Sequence, residues 1–159
     1  MGGGHAGVRA ALDLLKAGCA RVILIDREHS HTTPVYLYEV ATFFRNEKKE
    51  SARERELFYK MLTRSIAIPY DLIFRKYPDI KVERGVVRQV EPQENKVVLE
   101  DGRTLYYEWL IVATGSTTNY FDIAHLQSNA YGLKNVDEAF NIRSKIDEFF
   151  ASSAKHKTI

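Results

Sequence analysis

Gly2-Gly3-Gly4-His5-Ala6-Gly7 satisfies the pattern G-x-G-x-x-G, and the residues directly behind it, Val8 to Leu15, read as a helix. That order constrains the fold more than the glycines themselves. The first glycine permits a tight turn, the second lets backbone approach a pyrophosphate, and the third lets the helix pack against its strand. The N–H groups of the first helical turn and the positive end of the helix dipole then face an anion. A glycine pattern alone is weak, and its weight depends on the residues downstream of Gly7.

Val8, Ala11, Leu12 and Leu15 fall at i, i+3, i+4 and i+7, an apolar helical stripe, and Gly18 is placed to end the helix. The run Arg21-Val22-Ile23-Leu24-Ile25 then reads as a buried strand closed by Asp26. Asp26 comes 19 residues after Gly7, near the separation of about 20 at which a dinucleotide fold sets a carboxylate on a ribose diol. The alternative, an ordinary polar strand end, leaves loop, helix and strand unconnected. One element is absent: only Met1 precedes Gly2, where such a fold runs a central strand into the loop. Met1 is therefore expected to be the last residue of a longer strand, and nucleotide binding by the chain as it stands to be weak.

With 45% apolar and 28% charged residues, the 159-residue chain reads as one soluble domain or most of one. A net charge of +2 gives no electrostatic case for nucleic acid. No stretch of 18 apolar residues and no signal peptide is present, which makes a cytoplasmic location the default expectation. Cys19, the single cysteine, has no partner for a disulfide and reads as a small residue at a helix end. From Phe43 to Arg64 the sequence predicts a solvated, ion-paired helix with Leu57, Phe58, Met61 and Leu62 on its apolar face. A shorter helix is expected from Tyr70 to Lys76, stopped by Pro78.

From Ile80 the period changes to two. Ile80–Arg84, Val86–Val90, Lys96–Glu100 and Arg103–Tyr107 read as strands, the last two flanking the hairpin signal Asp101-Gly102. The later three form a β-meander where an NAD-binding fold carries a crossover helix. Trp109-Leu110-Ile111-Val112-Ala113 then reads as a buried parallel strand ending in Thr114-Gly115-Ser116.

Glycine loop, carboxylate at a strand end, meander crossover and Leu-Ile-Val-Ala-Thr-Gly-Ser together resemble the FAD-binding domain of flavoproteins with two dinucleotide-binding domains. The fold expected is α/β, a Rossmann-like FAD-binding domain over residues 1–150 with its first strand missing or truncated. Residues 151–159 are read as a tail leading toward an absent NADH-binding domain. The segments Leu37–Thr42, Ser65–Pro69, Ala113–Phe121 and Leu133–Arg143 resemble the type II NADH dehydrogenases, flavoenzymes that pass electrons from NADH to a quinone. One departure is Pro34, four residues before Tyr38 where the family has its proline three before. Residues 30–50 lack the cysteine pair of flavoprotein disulfide reductases, which argues against thiol chemistry, and sulfide-oxidising relatives also use cysteines not found here.

The resemblance implies that the backbone of Gly2, Gly3, Gly4, His5, Ala6 and Gly7 holds the FAD pyrophosphate and that Asp26, with Arg27 beside it, binds the adenosine ribose. It further implies that Val87 contacts adenine through its main chain, while Ala113, Thr114 and Gly115 flank the nucleotide. Val87 is equally readable as a core valine, and His5 reads as a spacer rather than an acid or base. His29 and His31 lack metal-ligand spacing, so no metal is assigned. No residue is assigned a catalytic role, because hydride transfer is the flavin's chemistry and the protein supplies binding and orientation. NADH and quinone would be partners of the longer parent, which would reach the membrane surface only through segments beyond Ile159; a homodimer is left open. Two rivals stand beside this reading: another FAD-dependent pyridine nucleotide reductase, such as one that reduces a ferredoxin, and a non-catalytic FAD-binding module. Asn135 and Glu138 are placed to cap a final helix, Val136 to Phe150, with Ala139, Ile142, Ile146 and Phe149 on one face.

Overall fold

The computed structural model describes residues 1–18, 21–42 and 52–151. The expectation for Cys19 and the start of the charged helix fall outside them. Contacts divide the chain into two units, one of residues 1–32 and 67–116, the other of residues 33–66 and 117–159.

The first unit is built on a parallel pair. Strand β1 (Val22–Asp26) runs beside β4 (Ile80–Arg84) with Val22 opposite Ile80 and Asp26 opposite Arg84. Because side chains alternate along a strand, β1 serves two cores. Val22 and Leu24 pack on helix α1 (His5–Lys16) through Val8 and Ala11, joined by Tyr70 and Phe74. Ile25 packs on the other side against Val97 and Leu99. Those two residues belong to the predicted meander, β5 (Val87–Glu91), β6 (Lys96–Leu99) and β7 (Thr104–Tyr106), antiparallel in that order. Its hairpin closes over three residues, Glu100 to Gly102. Gly102 N–H donates to Leu99 O, Leu99 N–H donates to Arg103 O, and Gly102 takes φ +85°, the left-handed position such a loop demands. Strand β2 (Ser30–Thr32) pairs antiparallel with β3 (Ala67–Pro69), which feeds helix α4 (Tyr70–Phe74).

Trp109–Ala113 departs from expectation. The segment is not a strand: Trp109 lies in a bend and is 90% exposed, and Val112 is 62% exposed. Among the described residues its backbone pairs with Met1, whose ammonium donates to Ile111 O (2.6 Å) and whose carbonyl accepts from Ala113 N–H (2.8 Å). Apolar side chains alone do not make a strand without a neighbour along its length.

In the second unit, helix α2 (Leu37–Thr42) buries Leu37, Val40 and Ala41 completely or nearly so, against Ala139 of helix α6 (Val136–Ala151) and Ile66 at the end of helix α3 (Ala52–Ile66). The inner stripe of α3 includes Leu62 and Ile66, while Leu57 and Met61 are mostly exposed. The predicted apolar face is therefore only half right: α3 turns Leu62 into the cluster and sets Tyr59 edge-on against Phe140 of α6. The Glu56–Lys60 pair spans one turn of the solvated face. α6 is capped as predicted: Asn135 Oδ1 accepts from Glu138 N–H, and Glu138 reaches back to Lys134 N–H. A short helix, α5, covers Leu126–Asn129.

Candidate functional site

The glycine loop lies between β1 and the segment around Ala113. Gly2 N–H donates to Ile25 O at 2.8 Å, while Met1 bonds Ile111 and Ala113 on the other side. A Cβ on Gly2 would stand 2.2 Å from Ala113 O, and one on Gly7 would stand 1.7 Å from Gly2 O. These approaches are backbone to backbone, so neither residue can carry a side chain. The loop then enters α1 with Gly4 as N-cap and no side chain capping it. An α-helix provides no carbonyl partners for the N–H groups of its first turn, here His5, Ala6 and Gly7, and that turn holds no acidic residue. Space around Gly4 and Gly115 is open, with nothing within 4 Å of an added Cβ. A cradle of this kind fits a dinucleotide pyrophosphate.

Asp26 ends β1 beside the loop. Its Oδ2 accepts from Gly3 N–H, and its Oδ1 accepts from Glu28 N–H at 2.7 Å. Each carboxylate oxygen has a second lone pair, and the Tyr70 phenol lies beside the same carboxylate. The structure thus gathers Gly2, Gly3, Gly4, Gly7, Asp26 and Ala113. Arg27 is different: its side chain is 71% exposed with Glu28 3.8 Å away, and its carbonyl accepts from Arg84 Nε. Val87 sits opposite Leu99, and Glu100 N–H donates to Val86 O. That pattern makes Val87–Leu99 a non-hydrogen-bonded pair, so the N–H and C=O of Val87 point away from β6. His5, Ala6, Thr114 and Gly115 are exposed, and Gly115 takes φ +73°.

Sequence reasoning passed over two side chains in this place. Tyr70 Oη–H donates to Gly3 O at 3.1 Å, and His31 Nδ1 lies 3.0 Å from the same oxygen. Tyr70 is 3% and His31 9% exposed. No spacing rule links positions 3, 31 and 70. A hint lay in β2, where alternation turns His31 inward between Ser30 and Thr32. Among the described residues no group of three or more His, Cys, Asp or Glu side chains is placed to hold a metal, and no helix is long and apolar enough to cross a membrane.

Parallel strands, glycine turn, uncapped helix start and strand-end carboxylate define a dinucleotide-binding α/β unit of the Rossmann type. The chain belongs to the pyridine nucleotide-disulphide oxidoreductase family, whose pattern matches residues 1–157. It is 30% identical over 158 residues to the type II NADH:quinone oxidoreductase Ndh of Mycobacterium tuberculosis, covering 98% of this chain and 30% of that protein. The NdhA protein of the same organism is 29% identical over 92% of this chain and 28% of its own length. The chain thus spans less than a third of these relatives. In fold it is similar to the sulfide:quinone oxidoreductase of Aquifex aeolicus (TM-score 0.75, 18% identity, 96% of this chain and 32% of that one). It is also similar to the NADH:rubredoxin oxidoreductase of Clostridium acetobutylicum (TM-score 0.64, 24% identity, 92% and 34%).

Proposed function

We propose that this chain is the FAD-holding part of an NADH:quinone oxidoreductase. The observation that carries the reading is the junction of the glycine loop with Asp26. An anion cradle and the strand-end carboxylate of Asp26 lie on either side of one residue, Gly3. In this reading the first-turn N–H groups of α1 hold the pyrophosphate, Asp26 takes the ribose hydroxyls, and Val87 offers its outward N–H and C=O to adenine. Ala113, Thr114 and Gly115 flank the nucleotide, while Arg27 contributes through its backbone position. Bound FAD supplies the hydride and electron chemistry, and the chain's own residues bind, orient and exclude competitors. NADH and quinone enter by similarity to the M. tuberculosis enzymes named above, and peripheral membrane attachment belongs to the same reading.

Titration of the purified chain with FAD, followed by flavin fluorescence, tests this. One FAD should bind weakly but saturably, with ADP competing, since ADP carries the half of FAD that these residues address. Absence of saturation, or FMN binding as tightly as FAD, overturns the assignment. Anaerobic mixing of the FAD-loaded chain with NADH should show no saturable flavin bleaching. Residues 117–159 contain no second G-x-G-x-x-G, and hydride transfer requires the nicotinamide held about 3–3.5 Å from the flavin.

A further inference from the structure

Gly3 is held by side chains from three separate elements. Asp26 of β1 accepts its N–H, while Tyr70 of α4 and His31 of β2 both bond its carbonyl. A carbonyl oxygen has two lone pairs and can only accept, so His31 must carry its hydrogen on Nδ1, and both lone pairs of Gly3 are used. The His5 ring lies 4.7 Å from the His31 ring, centroid to centroid, tilted 43° to it. A Cβ on Gly3 would lie 1.9 Å from Tyr70 Oη, so glycine is required for the phenol to reach the backbone.

We infer that Tyr70 and His31 are positioning residues that set the Gly3–Gly4 peptide for nucleotide binding, through their shared grip on the Gly3 carbonyl. In a trans peptide the N–H points opposite to the C=O. Fixing Gly3 O toward Tyr70 and His31 therefore aims Gly4 N–H to the other side, at the head of α1, where Gly4 is open. The same clamp seats Gly3 N–H on Asp26, so the carboxylate and the loop hold one geometry. A loop already set pays less ordering entropy when it binds. The inference rests on the flavin-nucleotide reading and adds two side chains that touch the protein backbone rather than the ligand.

Four variants of the whole chain test it: Tyr70→Phe, His31→Gln, His31→Asn and the double variant Tyr70→Phe/His31→Gln. Asn places its amide nitrogen near the position of Nδ1, whereas Gln places it near Nε2. Tyr70→Phe and His31→Gln should each weaken FAD binding by roughly three- to tenfold, the equivalent of one buried neutral hydrogen bond. His31→Asn should stay within about twofold of the parent. The double variant should lose more than the product of the two, because the buried carbonyl is then orphaned. A second readout needs no flavin: NMR-detected hydrogen exchange at Gly3 and Gly4 N–H should accelerate in Tyr70→Phe and His31→Gln and not in His31→Asn. Unchanged affinity and exchange in Tyr70→Phe, or equal losses in His31→Asn and His31→Gln, overturns the clamp. If the parent binds no FAD while exchange shows the expected pattern, the flavin reading fails and the clamp stands.

Discussion

Gly7 packs its α-carbon onto the carbonyl of Gly2, so close that a methyl group there would stand 1.7 Å from the oxygen. The obstacle is backbone and cannot rotate away. Gly7→Ala is expected to destabilise the chain by about 1–3 kcal/mol, the range for overpacking. Gly4→Ala, with nothing within 4 Å, should cost less stability yet weaken FAD binding. Thermal melts paired with FAD titrations separate the two; equal melting of both variants contradicts this packing.

Asp26→Ala removes the acceptor of Gly3 N–H and the group proposed for the ribose. Loss of one hydrogen bond to a charged group, ~1.5–3 kcal/mol, should lower FAD affinity roughly ten- to hundredfold. An unchanged titration curve would refute the ribose assignment.

Burial pushes the Tyr70 phenol above the ordinary tyrosine range, and the charge of Asp26 adds to it. A folded value above the unfolded one of about 10 leaves stability whole below that pH and removes it as pH rises through the folded value. Tyr70 should stay protonated in native alkaline titrations followed by ultraviolet absorbance, ionising only on unfolding. Tyr70→Phe should flatten the alkaline limb of the stability curve; identical limbs would show that Tyr70 ionises freely.

Glu83 sits on β4 between Lys81 and Arg103, with Arg103 Nη1 2.6 Å from its Oε2. The hydrogen bond from Lys81 holds its carboxyl below the usual value, with burial opposing and Arg103 assisting. A depressed folded value gives stability that is present above the unfolded value of about 4.3 and lost as pH falls through the folded one. Glu83→Gln should therefore flatten the acid limb. Denaturant melts between pH 3 and 6 check it, and parallel curves for parent and variant would count against the contact.

Leu37 is fully buried and Leu57 is 61% exposed. Leu37→Ala should cost about 2–5 kcal/mol, whereas Leu57→Ala should stay within about 0.5 kcal/mol. Similar losses at both sites would place α3 in a different rotation.

Features that depend on neighbours along the chain can be read from the residues in order. Glycine loop, α1, β1, the meander and the capped α6 were legible because periodicity, turn chemistry and caps act over a few residues, and Asp26 was legible because its distance from Gly7 is fixed by one helix and one strand. Tertiary structure decided what depends on partners distant in sequence. Trp109–Ala113 has the composition of a buried strand, yet burial depends on contacts made by residues distant in sequence, and Trp109 and Val112 are exposed. The inner face of α3 was set by contact with α6, since Leu57, Phe58, Met61 and Leu62 fit either rotation. The grip of Tyr70 and His31 on Gly3 joins β2, α4 and the loop across separations of 28 and 67 residues. No local pattern carries that information, because a hydrogen bond depends on where the folded backbone brings donor and acceptor, not on their spacing in the chain.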